Sequence, residues 1–212
     1  MERTLREILD DAARGAFPPA DGGTTIVPQD AERDAGVIGF TAHSVVFTDE
    51  DPAWVRAQLA AADGDPLSAA LHPRFLTALL DRAGRRTGTI DLLAVAQPLP
   101  GPPPLPLAVT DDPAHPRVAR ALDHRDGVRV WTADGGRGVL VLGRGVAGRW
   151  EAAVEVEPGA RGRGLGAALA TAARHLAPGP VWAQLAPGNA RSVRAFQSAG
   201  FRPAGAESLH VR

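Results

Sequence analysis

The segment VEVEPGARGRGLGAALATAARHL (residues 154–176) changes its pattern twice. Apolar and charged residues alternate at first, which is typical of a β-strand with one buried face. Glycine and arginine follow, and then Leu165, Leu169, Ala172 and Leu176 recur at the spacing of one helix face. The segment therefore predicts a strand, a glycine-rich loop and a helix in direct succession.

The glycine-rich loop has the composition of an anion site. A loop that enters a helix directs free backbone N–H groups and the positive end of the helix dipole at one small volume. Phosphate is the usual ligand of such a volume. Glycine lets the backbone approach the ligand closely, and Arg161 or Arg163 can add charge-assisted hydrogen bonds. The alternative interpretation is structural: Gly164 and Gly166 permit close helix packing, and the arginines are solvated.

Two nucleotide-binding folds do not fit this loop. A dinucleotide fold needs an acidic residue about 20 positions further on, at the end of the next strand. That strand ends here in QLAPGN (residues 184–189), which contains no carboxylate. A phosphate-loop NTPase needs lysine in its loop, and all 23 basic residues of this chain are arginine.

The composition of the 212 residues excludes several further kinds of chemistry. Without cysteine or tyrosine, the chain cannot form disulfides, thiolate metal sites, an acyl-cysteine intermediate or a catalytic tyrosine. No histidine pair has the spacing of a zinc site, and we predict no metal. His43 lies in an apolar strand, which favours a hydrogen-bonded core imidazole over a catalytic one.

Charge and hydropathy bear on partners and location. The formal net charge of −1 provides no basic surface for nucleic acid, so none is expected as a partner. The sequence shows neither the apolar core of a signal peptide nor an apolar run long enough to span a membrane. We therefore expect a cytoplasmic protein without a membrane partner.

The remaining sequence alternates helical and strand patterns on either side of a proline-rich segment. PLPGPPPLPL (residues 98–107) cannot lie in a helix or a central strand, so we interpret it as an extended connector. Besides the helix after the glycine-rich loop, a short helix is expected within residues 1–34. Further helices are predicted at residues 51–62, 67–84, 115–125 and 189–199. Strands are predicted at residues 35–48, 87–97, 106–110, 127–133, 138–145, 149–157, 180–186 and 205–211.

Two motifs in the C-terminal half resemble the GNAT N-acyltransferase superfamily. V-x-P-x-x-R-G-x-G-L-G is similar to its acyl-CoA-binding motif, in which Arg or Gln precedes spaced glycines. PGNARSVRAFQSAGF resembles its downstream element, in which Asn opens a helix that ends in Gly-Phe. The resemblance is specific over residues 149–203 and extends in element order over residues 105–212. The motif residues are Val156, Pro158, Arg161, Gly162, Gly164, Leu165 and Gly166, followed by Asn189, Ser192, Phe196, Gly200 and Phe201.

The resemblance implies an α/β fold, with a twisted mixed sheet flanked by helices, that binds acetyl-CoA or another acyl-CoA. The CoA pyrophosphate would lie on the N–H groups of residues 161–166, and the pantetheine arm would pair with the backbone around Val156. The Val154 N–H would polarise the thioester carbonyl. Asn189 would cap its helix and border the acyl-CoA arm. The implied cofactor-binding residues are Val154, Val156, Arg161, Gly162, Arg163, Gly164, Leu165, Gly166, Asn189, Ser192 and Phe196.

The residues available for proton transfer depart from the usual pattern of this family. Phe196 stands where many relatives have a tyrosine that protonates the leaving thiolate, so its side chain cannot act as an acid. Glu151 and Glu155 are the candidates for a general base, although strand alternation places them on the face opposite Val154. Ser192 is a candidate proton relay. The structural alternatives are salt-bridged carboxylates and a satisfied helix hydroxyl.

These observations predict an acyl-CoA-dependent N-acyltransferase, with acetyl transfer as the expected reaction, in which the acceptor amine attacks directly in a ternary complex. The acceptor is expected to be a small-molecule or peptide amine, and the protein a monomer or homodimer. The predicted domains are an N-terminal α/β region (1–97), a linker (98–104) and an acyl-CoA-binding domain (105–212). The N-terminal region is interpreted as a cap on the acceptor site or as a degenerate GNAT-like half. The alternative function is a non-catalytic acyl-CoA-binding or regulatory module.

Overall fold

A computed structural model describes residues 3–62, 65–110 and 115–212 of the chain. The chain divides into two compact units, Met1–Leu92 with Ala204–Arg212, and Leu93–Pro203. This division differs from the predicted domains 1–97 and 105–212, since the last strand belongs mostly to the first unit. The proline-rich linker predicted at residues 98–104 lies within the second unit.

The described residues form six α-helices and ten strands. The helices are α1 (Leu5–Ala13), α2 (Pro52–Ala61), α3 (Pro73–Ala83), α4 (Pro116–His124), α5 (Leu165–Leu176) and α6 (Ala190–Ser198). The strands are β1 (Thr24–Val27), β2 (Ala35–Phe40), β3 (His43–Phe47), β4 (Ile90–Ala96), β5 (Ala108–Thr110), β6 (Asp126–Ala133), β7 (Gly138–Arg144), β8 (Trp150–Val156), β9 (Val181–Leu185) and β10 (Arg202–His210). No helix within these described ranges has the length and apolar character that a membrane crossing requires.

The first unit contains α1 to α3 and a sheet in the order β1-β3-β2-β10. β1 and β3 run parallel, whereas β2 is antiparallel to both β3 and β10. One core of this unit joins the sheet to α2 and α3, because apolar residues of the strands pack on those of the helices. Its buried members are Val37, Val46, Val55, Ala62, Ala70, Phe75, Leu76 and Leu79.

The single strand predicted over residues 35–48 was wrong, because this segment forms a hairpin. β2 ends at Phe40, β3 begins at His43, and these two residues pair across the turn. Ala42 has a left-handed φ of 53° in that turn. Both strands are largely buried, so their apolar residues form one nearly continuous run. The turn contains neither Gly nor Pro, the residues that usually mark a hairpin in a sequence.

Two further segments of the first unit differ from the prediction. β1 lies within residues 1–34, which were expected to form polar turns after the first helix. The helix predicted over residues 67–84 begins at Pro73, after a separate 3₁₀ turn at Ala69–Leu71. Proline has no N–H and fits the first position of a helix, so α3 starts there. It ends at Gly84 in the left-handed conformation, as the sequence indicated.

The second unit contains α4 to α6 and a sheet in the order β4-β9-β8-β7-β6-β5, in which β5 to β8 are antiparallel and β8 pairs parallel with β9. α4 covers one face through a cluster that includes Val118, Val139 and Val141. α5 packs on β7 closely enough that a Cβ at Gly138 would lie 3.0 Å from Leu169 Cδ1. The predicted mixed sheet flanked by helices is confirmed, and the elements predicted after residue 105 occur with bounds shifted by a few residues.

The proline-rich connector is fixed to the C-terminal end of α5. The Arg174 Nε donates to the Gln97 carbonyl over 2.9 Å, and the Leu99 N–H donates to the Arg174 carbonyl over 2.8 Å. The Nδ1 of His175 donates to the Pro100 carbonyl over 3.0 Å. Prolines cannot form a regular ladder, so helix side chains and a helix carbonyl bind the backbone of this segment instead.

A buried imidazole lies at the end of β10 in the first unit. His210 is 0% exposed, and its Nε2 lies 3.1 Å from Ser208 Oγ. The guanidinium of the buried Arg85 donates to the His210 carbonyl over 3.1 Å. Burial, together with the charge of Arg85, lowers the pKa of His210 to about 4. His210 is therefore neutral in the folded protein at neutral pH.

We expect the stability of the protein to decrease as the pH falls from about 6.5 to about 4 because of His210. The unfolded chain binds a proton at the ordinary histidine pKa, whereas the folded chain binds it only near the lowered value. Above pH 6.5 this contribution is constant. Urea unfolding at a series of pH values measures the slope, and His210→Asn should reduce it. An NMR titration that places the His210 pKa near 6.5 would contradict this expectation.

Candidate functional site

The strand, loop and helix predicted at residues 154–176 occur as β8, a glycine-rich loop and α5. The loop begins with a 3₁₀ turn at Pro158–Ala160. Gly162 and Gly164 then adopt left-handed φ values of 78° and 82°, which residues with a side chain rarely adopt. Gly164 is the N-cap of α5. Glycine is therefore strongly favoured at both positions, where the chain turns from the strand into the helix.

The N-terminus of α5 is open. Its N-cap, Gly164, has no side chain to accept a hydrogen bond, and its first turn contains no acidic residue. The first N–H groups of a helix have no intrahelical acceptor, and they carry the positive end of the helix dipole. A Cβ added at Gly162 or Gly164 would meet no atom within 4 Å. The loop thus presents unpaired donors to open space, which is an arrangement that binds an anion.

Arg161 and Arg163 hold the backbone of this loop. The Arg161 Nε donates to the Val156 carbonyl over 2.9 Å, and an Arg163 Nη2 donates to the Gly159 carbonyl over 3.2 Å. Both side chains are exposed, and each guanidinium has five N–H donors. One part of each guanidinium therefore orders the loop, while the remaining donors are available to an anion at its surface.

β8 is fully paired on one side only. Its ladder with β7 runs from Arg144↔Trp150 to Gly138↔Val156. Along the described length of β8 and β9, the parallel ladder is recorded at Trp150↔Val181 and Glu151↔Trp182. Beyond Glu151 the backbone of β8 therefore has an edge without ladder partners from β9, and this edge leads to the glycine-rich loop.

The Val154 N–H points towards this edge. The Glu157 N–H donates to the Arg137 carbonyl over 2.9 Å, on the β7 side, whereas the Val156 carbonyl points away and accepts from Arg161. The peptide groups of alternate residues in a strand point to the same side, so those of Val154 and Val156 share one direction. The backbone around Val154 thus offers hydrogen-bonding groups on the side away from β7.

Glu151 is held in a buried ion-pair cluster at the start of β8. Its Oε1 lies 2.8 Å from the Arg149 Nε, and its Oε2 lies 3.0 Å from the Arg125 Nε. The Val146 N–H also donates to Oε1 over 3.3 Å. Burial would raise the pKa of Glu151, but Arg149 and then Arg125 outweigh it, and the pKa is lowered. This geometry favours a structural role, and a catalytic role for Glu151 stays a prediction.

Glu155 lies on the same face of β8 as Glu151, as strand alternation predicted. Its Oε2 is 3.1 Å from the Nε of Arg117 on α4, and both side chains are partly exposed. The opposite face of β8 turns towards α5, where a Cβ at Gly166 would lie 3.8 Å from Val156 Cγ2. Glu155 therefore faces α4, and its assignment as a base also stays a prediction.

α6, which carries the second sequence motif, packs against the first turn of α5. A Cβ at Gly166 would lie 3.6 Å from the Cβ of Ala195. Asn189 caps α6, since its side-chain oxygen accepts from the Ser192 N–H over 3.1 Å. Phe196 is buried and packs edge-on against Phe201, with ring centroids 4.8 Å apart. The structure thus brings Val156, Gly166 and α6 together, with Phe196 in the core.

Three residues of the site were missed by the sequence analysis. Arg125 and Arg149 neutralise Glu151, and a Cβ at Gly145 would lie 2.3 Å from the Glu151 carboxyl carbon. The spacing of Arg149 and Glu151, two residues apart on one strand, was the available signal for the first contact. The contact with Arg125 depends on how α4 packs on the sheet, for which the sequence gives no local pattern.

Within the described residues, no group of three or more His, Asp or Glu side chains could bind a metal ion.

We expect Glu151→Gln to destabilise the protein by about 3–5 kcal/mol, because it removes the buried carboxylate that both Arg149 and Arg125 contact. Glu155→Gln is the matched control on the same strand face, and it should cost about 0.2–1 kcal/mol, as for an exposed pair. Urea unfolding of both variants at neutral pH measures the difference. Equal losses of stability in the two variants would show that the Glu151 cluster contributes no more than an exposed ion pair.

One family model matches part of the chain. Residues 118–201 match the model of the acetyltransferase (GNAT) family, and this segment includes β8, the glycine-rich loop and α6. It therefore contains most of the second unit. No curated protein matches the chain.

Three solved structures that resemble the chain carry the names of acetyltransferases. A GCN5-related N-acetyltransferase from Kribbella flavida has 20% identity and a TM-score of 0.41, and the alignment covers 64% of this chain and 63% of that one. A second, from Sphaerobacter thermophilus, has 17% identity, a TM-score of 0.39 and coverages of 66% and 56%. A GNAT-family acetyltransferase from Novosphingobium aromaticivorans has 21% identity, a TM-score of 0.40 and coverages of 61% and 68%. The chain thus spans less than two thirds of the length of the first two.

Proposed function

We propose that the protein is an acyl-CoA-dependent N-acyltransferase, because residues 118–201 match the model of the acetyltransferase (GNAT) family. The donor substrate is acetyl-CoA or another acyl-CoA, and the acceptor is a small-molecule or peptide amine. The observation that carries the proposal is that the open edge of β8 leads directly to the uncapped N-terminus of α5. A free strand edge can pair with an extended chain, and a helix N-terminus can bind a pyrophosphate.

The donor would be held mainly by backbone groups. The Arg161 N–H already donates to the Pro158 carbonyl over 3.3 Å, so within residues 161–166 the N–H groups from Gly162 onward would hold the pyrophosphate. The helix dipole and the guanidinium of Arg161 complement its charge. The pantetheine arm pairs with the free edge of β8 around Val156. Asn189 and Ser192 border this arm from the first turn of α6. The fit is supported by the left-handed Gly162 and Gly164, which keep the approach to the loop free of side chains.

The chemical step is a direct transfer. The acceptor nitrogen attacks the thioester carbonyl carbon, the C–N bond forms, and the C–S bond breaks with release of the CoA thiolate. The Val154 N–H donates to the carbonyl oxygen as negative charge develops on it. The chain contains no cysteine that could carry the acyl group, which supports attack within a ternary complex.

Proton transfer would rely little on side chains near β8. Glu151 is committed to Arg125 and Arg149, and Glu155 is paired with Arg117. Phe196 has no acidic group, so water would protonate the leaving thiolate. Ser192, half-buried at the start of α6, is the remaining candidate relay. An amine that reacts in its neutral form, losing its proton to water or to its own solvent shell, is compatible with this site.

A non-catalytic acyl-CoA-binding module is the second candidate function. It is favoured by the same observations on Glu151, Glu155 and Phe196, because a binding module needs the loop and the β8 edge but no base. For the enzyme, we propose a cytoplasmic monomer or homodimer. Acyl-CoA binding is common to both functions, whereas CoA release that depends on an amine is specific to the enzyme.

We expect acetyl-CoA and desulfo-CoA to bind with similar affinity in calorimetric titrations, and ATP to bind much more weakly. Arg161→Ala should weaken the binding of both CoA ligands by about 1–3 kcal/mol, because a charge-assisted hydrogen bond is lost. Arg120→Ala, at an exposed position on α4, is the control and should bind as the parent does. Unchanged affinity in Arg161→Ala would exclude that arginine from the site.

We expect Gly164→Val to abolish CoA binding, since the side chain blocks the approach to the N–H groups and strains a φ of 82°. Gly136→Val is the matched control, because Gly136 has a φ of 91° and open space around it but lies in the turn between β6 and β7. Both variants should lose similar stability in thermal unfolding, and only Gly164→Val should lose binding. Retained binding in Gly164→Val would overturn the proposed cradle.

We expect the parent protein to release CoA thiol from acetyl-CoA only when an acceptor amine is present. A panel of amino acids, polyamines, aminoglycosides and peptides, read out by a thiol reagent, tests this directly. Initial rates at varied concentrations of both substrates should fit a sequential rather than a ping-pong pattern, since no acyl-enzyme forms. Acetyl-CoA binding without thiol release for any amine would favour the non-catalytic module.

A further inference from the structure

Three polar side chains of the first unit form a hydrogen-bonded chain that the acyl-CoA site does not use. The His43 Nδ1 lies 2.7 Å from Asp21 Oδ1, and the His43 Nε2 lies 2.9 Å from Thr25 Oγ1. His43 is buried and hydrogen-bonded, as its place in an apolar strand indicated. Its partners, however, are a hydroxyl on one nitrogen and a carboxylate on the other. A hydroxyl, an imidazole and a carboxylate joined in this order match a nucleophile, its base and the acid that orients the base.

Backbone pairing fixes the hydroxyl and the imidazole on one face of the sheet. β1 and β3 are adjacent parallel strands, and Thr25 pairs in register with Val45. His43 precedes Val45 by two residues, so both of these side chains project on the same face as Thr25. The contact between Thr25 and His43 is therefore set by strand register, which leaves little freedom in their separation.

The carboxylate is held by the turn that leads into β1. The Gly23 N–H donates to Asp21 Oδ1 over 2.7 Å, and the Gly22 N–H donates to the Ala42 carbonyl over 2.8 Å. The Gly23 carbonyl in turn accepts from the Ser44 N–H over 3.0 Å. All three members of the chain are thus placed by main-chain hydrogen bonds between the same two segments.

The acceptor on Nδ1 determines the tautomer of His43. An ionised carboxylate can only accept, so the neutral ring carries its proton on Nδ1, and Nε2 offers a lone pair to the Thr25 hydroxyl. The hydrogen bond from His43, followed by that from Gly23, lowers the pKa of Asp21. The hydroxyl proton of Thr25 is therefore directed at a base that an ionised carboxylate orients.

The residues that carry the imidazole and the hydroxyl differ in exposure. His43 is 7% exposed, whereas Thr25 is only half-buried, so the imidazole is more shielded from solvent than the residue that carries the hydroxyl. β1 is the last strand in the order of the first unit, with β3 as its neighbour. The N–H groups along the outer side of such a strand can donate to a developing oxyanion. A ligand can therefore approach Thr25 from the sheet edge.

We propose that Thr25 is the nucleophile of a second acyl-transfer site, which accepts the acyl group of an activated carboxylic ester. Thr25 Oγ1 attacks the ester carbonyl carbon, and His43 Nε2 takes the hydroxyl proton. The bond between the carbonyl carbon and the leaving oxygen then breaks, and the leaving group takes that proton from His43. The products are an ester on Thr25 and a free alcohol or phenol. The site is independent of CoA binding.

Acetylation of the full chain by p-nitrophenyl acetate tests this proposal without an acyl-CoA. Nitrophenolate release gives the rate, and peptide mass spectrometry locates the acetyl group. The chain has no lysine, cysteine or tyrosine, so background reaction is confined to the N-terminal amine, the histidines and other hydroxyls. We expect acetylation at Thr25, slowed about 100-fold or more in His43→Ala because a general base is lost.

Matched variants separate reactivity from folding. Thr25→Ser should retain acetylation at position 25, and Thr25→Val should remove it. Thr24→Val, at the preceding residue of β1, should react as the parent does, since neighbouring residues of a strand face opposite sides. Asp21→Asn alters an exposed side chain and should slow acetylation, because an amide can donate to Nδ1 and favour the wrong tautomer. Thermal unfolding confirms that each variant is folded.

Three results would overturn the proposal. The first is the absence of acetyl on Thr25 in the folded parent protein. The second is acetylation of Thr25 at the same rate in folded Asp21→Asn and His43→Ala. The third is acetylation of His43 itself in place of Thr25, which would make the imidazole the nucleophile and not the base. None of these results would bear on acyl-CoA binding, which is measured separately.

Discussion

The buried ion-pair cluster around Glu151 is the constraint on which the second unit depends. Arg149 and Glu151 are buried and Arg125 is largely shielded from water, an arrangement of charges that is favourable only when their geometry is well matched. Arg149 also lies over the ring of Trp182, 5.4 Å from its centroid. The cluster therefore joins the end of α4, the turn before β8 and the start of β9. It fixes β8 at the point where its ladder with β9 ends.

The remainder of β8 and the loop after it depend on that fixed start. The strand remains paired with β7, so its other edge is free to carry hydrogen bonds to a ligand. The chain then turns through two left-handed glycines into α5. Because Gly138 has no side chain, α5 can lie close to β7. A free strand edge and a free helix N-terminus thus become continuous.

The first unit also uses buried polar groups to set its geometry. Arg85 donates to the carbonyls of Glu32, Arg33 and His210, and so ties a loop to the end of the chain. His43 plays a comparable part between β1 and β3. Such networks are favourable only when each group has its partner, which gives this unit a defined register as well as an apolar core. Thr25, which is half-buried at one end of the His43 network, is the residue that we propose as a nucleophile.

The sequence by itself determined the elements whose pattern is local. The alternation in β8, the glycines of the loop, the helical spacing of α5 and the Asn189 cap each follow from neighbouring residues, and the fold of the second unit followed from their order. The hairpin at residues 35–48 had no local signal, because its turn lacks glycine and its strands are both buried. Only the tertiary structure decided the pairing of Glu151 with Arg125, the burial of Phe196 and the contact of His43 with Asp21 and Thr25. Those contacts join residues far apart in the chain, and their existence depends on strand register and helix packing, which no local pattern encodes.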